Sequence, residues 1–122
     1  MTVRRSARSG TKPLAWAPGA EPISTPPMPA EARREAGYLL RLLQDGHQLS
    51  MPLSRPMPAV GGGCHELRLT AEGTEWRVFY HLDADVVLVL GVYQKAVKRT
   101  PKRWLTSCKG RLTLYHRATG GT

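Results

Sequence analysis

Apolar and polar positions divide this chain into readable segments. Residues 64–69 alternate, with His65, Leu67 and Leu69 on one face and Glu66 and Arg68 on the other. Residues 75–80 alternate again and set Trp76, Val78 and Tyr80 opposite Arg77 and Phe79. Residues 86–93 are an apolar run rich in β-branched side chains. These patterns predict three strands, and the short connections at 71–74 and 83–85 make consecutive strands antiparallel neighbours. The expectation is a three-stranded meander.

Helical spacing replaces alternation on either side of it. Over 30–44, Ala32, Ala36, Leu39, Leu40 and Leu43 form an apolar stripe with Arg33, Arg34 and Arg41 outside it. Pro29 suits the first turn, Glu31 the positive end of the dipole, and Asp45-Gly46 the stop. A second helix is predicted over about 101–115, opened by Thr100 as the cap with Pro101 in the first helical position. It sets Trp104, Leu105, Cys108, Leu112 and Tyr115 on one side.

Between these elements, residues 12–17 fit a short edge strand. Residues 18–29 carry five prolines and read as a linker. Residues 47–63 carry three prolines and three successive glycines and read as a long loop. Gly61-Gly62-Gly63 runs into Cys64-His65 rather than Lys-Ser/Thr, so a phosphate-cradling loop is not supported. The expected fold class is α+β: a small antiparallel sheet with helices packed on one face and the other face partly open. One domain over 12–116 is expected, between a flexible basic tail (1–11) and a fraying end (117–122).

A length of 122 residues with 41% hydrophobic content suits one domain with a modest core. No apolar run is long enough to span a membrane, and no apolar segment follows the basic start, so a cytoplasmic location is expected. Cys64 and Cys108 are then expected to be reduced and buried. Charge adds more. Residues 1–12 hold four Lys/Arg and no acid, 13–85 hold six bases against nine acids, and 86–122 hold eight bases and no acid. A solvated basic surface is the plainer reading of that excess. A last stretch without any acid favours an acidic partner such as nucleic acid or an acidic protein segment.

The cations also have places. Arg68 and Arg77 point from the sheet face opposite the meander's core residues, and the loop 94–99 carries Lys95, Lys98 and Arg99 toward a helix that begins near Lys102. Cleaving RNA needs a base at the 2′-hydroxyl, stabilisation of the extra charge on phosphate and an acid at the leaving oxygen. Arginine meets the second need with a fork that clamps phosphate oxygens, and crowded lysines are candidates for proton transfer. Tyr80 or Tyr93 could stack on a base or share in proton transfer. Glu66 could instead pair with Arg68 or Arg77, worth under about 1 kcal/mol if exposed. The four histidines are scattered and no zinc-like spacing occurs, so no metal is expected. His65 is read as a half-buried, hydrogen-bonded histidine. No Ser-His-Asp or Cys-His set and no paired carboxylates stand out.

The order Glu66-Leu67-Arg68, Trp76-Arg77-Val78-Phe79-Tyr80, Tyr93-Gln94-Lys95 and Lys98-Arg99-Thr100-Pro101-Lys102 resembles the RelE/ParE toxin superfamily, nearest its HigB-like, phage-derived members. Lys12-Pro13-Leu14-Ala15-Trp16 resembles the family's first strand, so the resemblance covers roughly 12–115. It implies the same α+β fold and the toxin of a type II toxin–antitoxin pair. It further implies a metal-free endoribonuclease without cofactor that cuts translated mRNA at the ribosome. A cognate antitoxin, of helix-turn-helix type, is the implied partner.

Carried over residue by residue, Arg68, Arg77, Lys95 and Lys98 are the catalytic candidates, and Glu66, Tyr80, Tyr93, Arg99 and Lys102 the substrate-binding ones. Arg77, read as exposed, is expected to be replaceable by Ala without loss of fold. Ala96 stands where the family often has a second lysine and His65 where it has an aromatic residue, which bears on proton transfer more than on the phosphate clamp. A ParE-like gyrase inhibitor and a non-enzymatic phage-derived binding module are the alternatives.

Overall fold

A computed structural model describes residues 11–20 and 28–120. The tail over 1–10, most of the proline-rich 18–29 segment and residues 121–122 lie outside the described residues. The elements run β1 (Leu14–Trp16), α1 (Ala30–Gln44), β2 (Ser54–Pro56), β3 (Cys64–Ala71), β4 (Thr74–Leu82), β5 (Val87–Lys95) and α2 (Lys102–Ala118). They form one five-stranded sheet in the order β1-β5-β4-β3-β2. The predicted meander is its centre: β3 pairs antiparallel with β4, and β4 with β5. β1 closes one edge parallel to β5, and β2 closes the other antiparallel to β3. The fold is α+β.

The β3–β4 turn explains its own residues. Ala71 pairs with Thr74, leaving Glu72 and Gly73 as a two-residue loop with φ of 53° and 76°. Positive φ at both positions is what a type I′ hairpin turn demands, and glycine meets it without strain. On the outer edge, the backbone N–H of Arg68 donates to the Leu53 carbonyl at 2.8 Å. That bond ties the segment before β2 to β3. The 47–63 stretch therefore contains a short edge strand that the sequence, dominated by Pro and Gly, does not announce.

The helices divide between the two sheet faces, where the sequence led to one face for both. The predicted stripe of α1, from Ala32 to Leu43, packs on Leu67, Leu69, Trp76, Val78, Tyr80, Val87 and Val89. Trp104, Cys108 and Leu112 of α2 pack on Phe79, Leu88 and Leu90 of the opposite face. The reason lies in β5, whose successive residues Val87 to Val92 are all buried. A strand apolar on both faces needs cover on both. α2 starts one residue later than expected: its cap is Pro101, and no side chain caps it.

Met28, in the segment read as a linker, is a buried core residue at 1% exposure. Cys64 and Cys108 are free and buried, as expected, and burial pushes both thiols up to about 11. No helix among the described residues is long and apolar enough to cross a membrane.

Candidate functional site

α2 covers only one end of its sheet face, and the uncovered part carries the charges. Register fixes their layout in rows across the strands. Arg55 of β2 stands opposite Glu66 of β3, which stands opposite Phe79. In the next row Arg68 faces Arg77, and Arg77 faces Tyr93. One row further, Thr70 faces Glu75 and Glu75 faces Lys95. Two arginines directly opposite each other repel. Here carboxylates on either side of the pair offset that cost.

Glu66 is the inner one. Its side chain is fully buried, with Oε2 accepting from Arg68 Nη1 at 3.3 Å and bridged to Arg55 Nη2 at 3.0 Å. Its Oε1 lies 3.9 Å from Arg77 Nε, too far for a hydrogen bond, and both atoms are without partners. Glu75 is the outer one. It accepts from Arg77 Nη2 at 2.6 Å while its own side chain is 53% exposed. That hydrogen bond and the Arg77 charge hold its carboxyl below the usual range.

An open cleft of about 640 Å³ lies over these rows, lined by Arg68, Glu75, Arg77, Lys95 and Lys98 among others. Lys95 Nζ donates to the Lys98 carbonyl at 2.7 Å, which folds the loop over the cleft. A second lobe of about 340 Å³ continues past Arg68, Glu75 and Arg77 toward Pro52 and Leu53. The four residues predicted as catalytic are thus brought together.

They do not stand equally. Arg68 keeps 27% of its side chain exposed, but Arg77 keeps only 3%. The expectation of an exposed Arg77 is corrected: Glu66, Glu75 and the carbonyl of Trp76 enclose its guanidinium. It supplies positive potential from the cleft floor, and a phosphate reaches its outer edge only by displacing Glu75. Arg68 and the two lysines are the open donors.

The predicted substrate-binding residues fare less well. Tyr80 is buried at 1% exposure on the α1 face, its hydroxyl 2.6 Å from Ser54 Oγ. It is core, on the far side of the sheet. Glu66 is the hub just described and offers no free surface. Tyr93 lies at the border between cleft and α2, its ring stacked on Trp104 at 4.6 Å and folded over Gly91. Its hydroxyl accepts from Arg111 at 3.2 Å. Burial chiefly raises its phenol, and the face toward α2 is already occupied. Arg99 and Lys102 are exposed but do not line the cleft.

His65 stacks on Tyr80 at 5.3 Å, half-buried as expected, yet its Nδ1 has no hydrogen-bond partner. Sequence reasoning missed Arg55, set in a stretch read as loop, and Glu75, whose alternation with Arg77 in residues 75–80 was the available signal. It also found no Cys-His pair, whereas Cys64 Sγ lies 3.5 Å from His81 Nδ1. With the thiol pushed up to about 11 and both side chains buried, that pair holds no thiolate nucleophile at neutral pH. Among the described residues no three His, Cys, Asp or Glu side chains gather in a group able to hold a metal ion.

Fold and cleft together define a small α+β protein with a cationic hollow at one end of its sheet. The family model for phage-derived protein Gp49-like (DUF891) matches residues 27–113, from before α1 into α2. The chain belongs to this Gp49-like family, which is associated with RelE-like toxins. Among curated proteins nothing matches the chain.

Proposed function

We propose that this protein is the toxin of a type II toxin–antitoxin pair, HigB-like, and an endoribonuclease that cuts translated mRNA at the ribosome. The observation that carries the reading is the convergence of Arg68, Arg77, Lys95 and Lys98 in one open cleft on a Gp49-like fold. Arg68 and the lysines clamp the scissile phosphate, and buried Arg77 holds positive potential beneath it where charge develops. Glu75, ionised and open to the cleft, is the nearby proton acceptor for a 2′-hydroxyl. Lys95 and Lys98 are the nearby donors for the leaving oxygen. In the cell, a cytoplasmic antitoxin of helix-turn-helix type, with an acidic segment laid over Arg68, Arg77 and the Lys95 loop, neutralises the protein.

The test is induced expression of wild type, Arg68→Ala and Lys98→Ala, with mapping of mRNA 5′ ends and circular dichroism to confirm folding. Losing an oriented charge donor to a developing oxyanion costs a factor of about 10² to 10³. Arg68→Ala is expected to fold and to lose cleavage on that scale. A folded Arg68→Ala protein that cuts at the wild-type rate would sink the assignment. Growth inhibition without new 5′ ends would move the function to a gyrase-type target.

A further inference from the structure

Arg55 lies outside both lobes of the cleft, yet it is built into the same charge network. It stands directly across from Glu66 on the neighbouring strand, so its side chain shares the face of Arg68 and Arg77. One oxygen, Glu66 Oε2, holds both Arg55 and Arg68, at 3.0 and 3.3 Å. The carboxylate itself is wholly buried, whereas the two side chains it holds are 43% and 27% exposed. Glu66 therefore grips both guanidinium groups from behind and leaves their outer edges to solvent. Arg55 Nε has no partner in the network.

The net charge of the cluster is positive as well. Glu66 meets three arginines and Glu75 takes up one of them, so the cluster keeps a positive surplus before Lys95 and Lys98 are added. A buried carboxylate among several cations is a weak source of stability. It is an effective way to fix the direction of long side chains, because each loses most of its rotamer freedom.

Across the sheet the cations follow strand order: Arg55 on β2, Arg68 on β3, Arg77 on β4, Lys95 on β5. Three strand spacings separate the ends, about 14 Å. Arg55 and Lys95 also lie two cross-strand rows apart, so the line of cations crosses the sheet on a diagonal and exceeds what one phosphate needs.

We infer that Arg55 is a further phosphate-binding residue, and that the site takes a single-stranded polynucleotide laid across the sheet from β5 to β2, with Glu66 as the positioning residue that aims Arg55 and Arg68 together. This rests on the nuclease reading and extends it beyond the reacting phosphate. Arg55 contacts backbone, so its contribution is the same for every sequence.

The experiment is equilibrium binding of the full chain to a short, uncleavable 2′-O-methyl RNA over a range of salt. Loss of one phosphate contact on a single strand reduces the slope of log K against log salt by about 0.7. Arg55→Ala is expected to show that reduction equally on oligomers of different sequence, and Arg55→Lys to restore it. Arg34→Ala, which removes the same charge from the exposed side of α1, is expected to keep the wild-type slope. If melting shows the alanine variant to be unfolded, Arg55→Met keeps the aliphatic stem and takes its place.

Wild-type slope and affinity in a folded Arg55→Ala protein would overturn the inference alone. An equal reduction in Arg34→Ala would overturn it too, by showing that overall charge is being read. Wild-type protein that binds no RNA would overturn the nuclease reading together with the inference.

Discussion

Replacing Glu66 by Gln changes one atom type and removes one charge, which makes it the sharpest probe of the site's construction. The side chain has no exposed area and faces Arg55, Arg68 and Arg77. Gln keeps the volume and one acceptor oxygen, so the perturbation is electrostatic. Arg77 then keeps Glu75 as a carboxylate partner while Arg55 and Arg68 keep none, and the directly opposed Arg68 and Arg77 lose one of the two negative charges that offset their repulsion. Removing one partner of a buried charge network costs about 3–5 kcal/mol.

At about 4 °C per kcal/mol for a domain near this size, Tm is expected to fall by about 12–20 °C. The assay is thermal melting followed by circular dichroism, at low and high salt. Raising ionic strength from about 0.1 to 1 M shortens the screening length from about 10 to 3 Å, which erases most exposed pairs and spares buried ones. The fall in Tm is therefore expected to persist in high salt. A loss below about 1 kcal/mol, or one abolished by salt, would refute the claim that Glu66 is a dry hub.

Arg77→Ala is expected to lower both activity and stability, the latter by about 3–5 kcal/mol, because Arg77 is buried between two carboxylates; parallel urea unfolding of Arg77→Ala and Arg68→Ala checks this, and equal midpoints would contradict it. His81 is buried against Cys64 and His116, and burial chiefly depresses its pKa below 6.5. The unfolded chain therefore takes up the proton first, so this contribution to stability is complete above pH 6.5 and is lost as pH falls toward the folded value. Tm measured from pH 7.5 down to 5 is expected to decline less steeply in His81→Gln than in wild type. Gly91→Ala sets a Cβ 2.6 Å from the Tyr93 ring, which must leave its stack on Trp104; a changed near-ultraviolet aromatic signal and a loss of about 1–3 kcal/mol are expected.

The local sequence was enough for the elements themselves, apart from the short edge strand β2. Helix α1 runs from Ala30 to Gln44, as its stripe and stop signal predict, because helical period and terminal residues act within a few residues of each other. The β3–β4–β5 meander and the face shared by Glu66, Arg68 and Arg77 were equally legible, since side chains alternate strictly along a strand. That Lys95 and Lys98 lie beside Arg68 and Arg77 was legible because a short chain distance ties them to the end of β5. The turn at Glu72-Gly73 and the reduced, buried cysteines belong to the same class.

Tertiary structure decided the rest. Periodicity states which residues share a face but not what covers that face. Tyr80 therefore read as a site aromatic until α1 closed over it, and Arg77 read as exposed until Glu66 and Glu75 enclosed it. The division of the helices between two faces follows from the double burial of β5, a long-range balance between Val87 to Val92 and two helices distant in sequence. Arg55 entered the site through pairing between β2 and β3, which joins residues 54–56 to 65–67 across the intervening glycines. Strand partners of that kind are chosen by contacts that exist only once the sheet has formed, and no local pattern around Arg55 carries them.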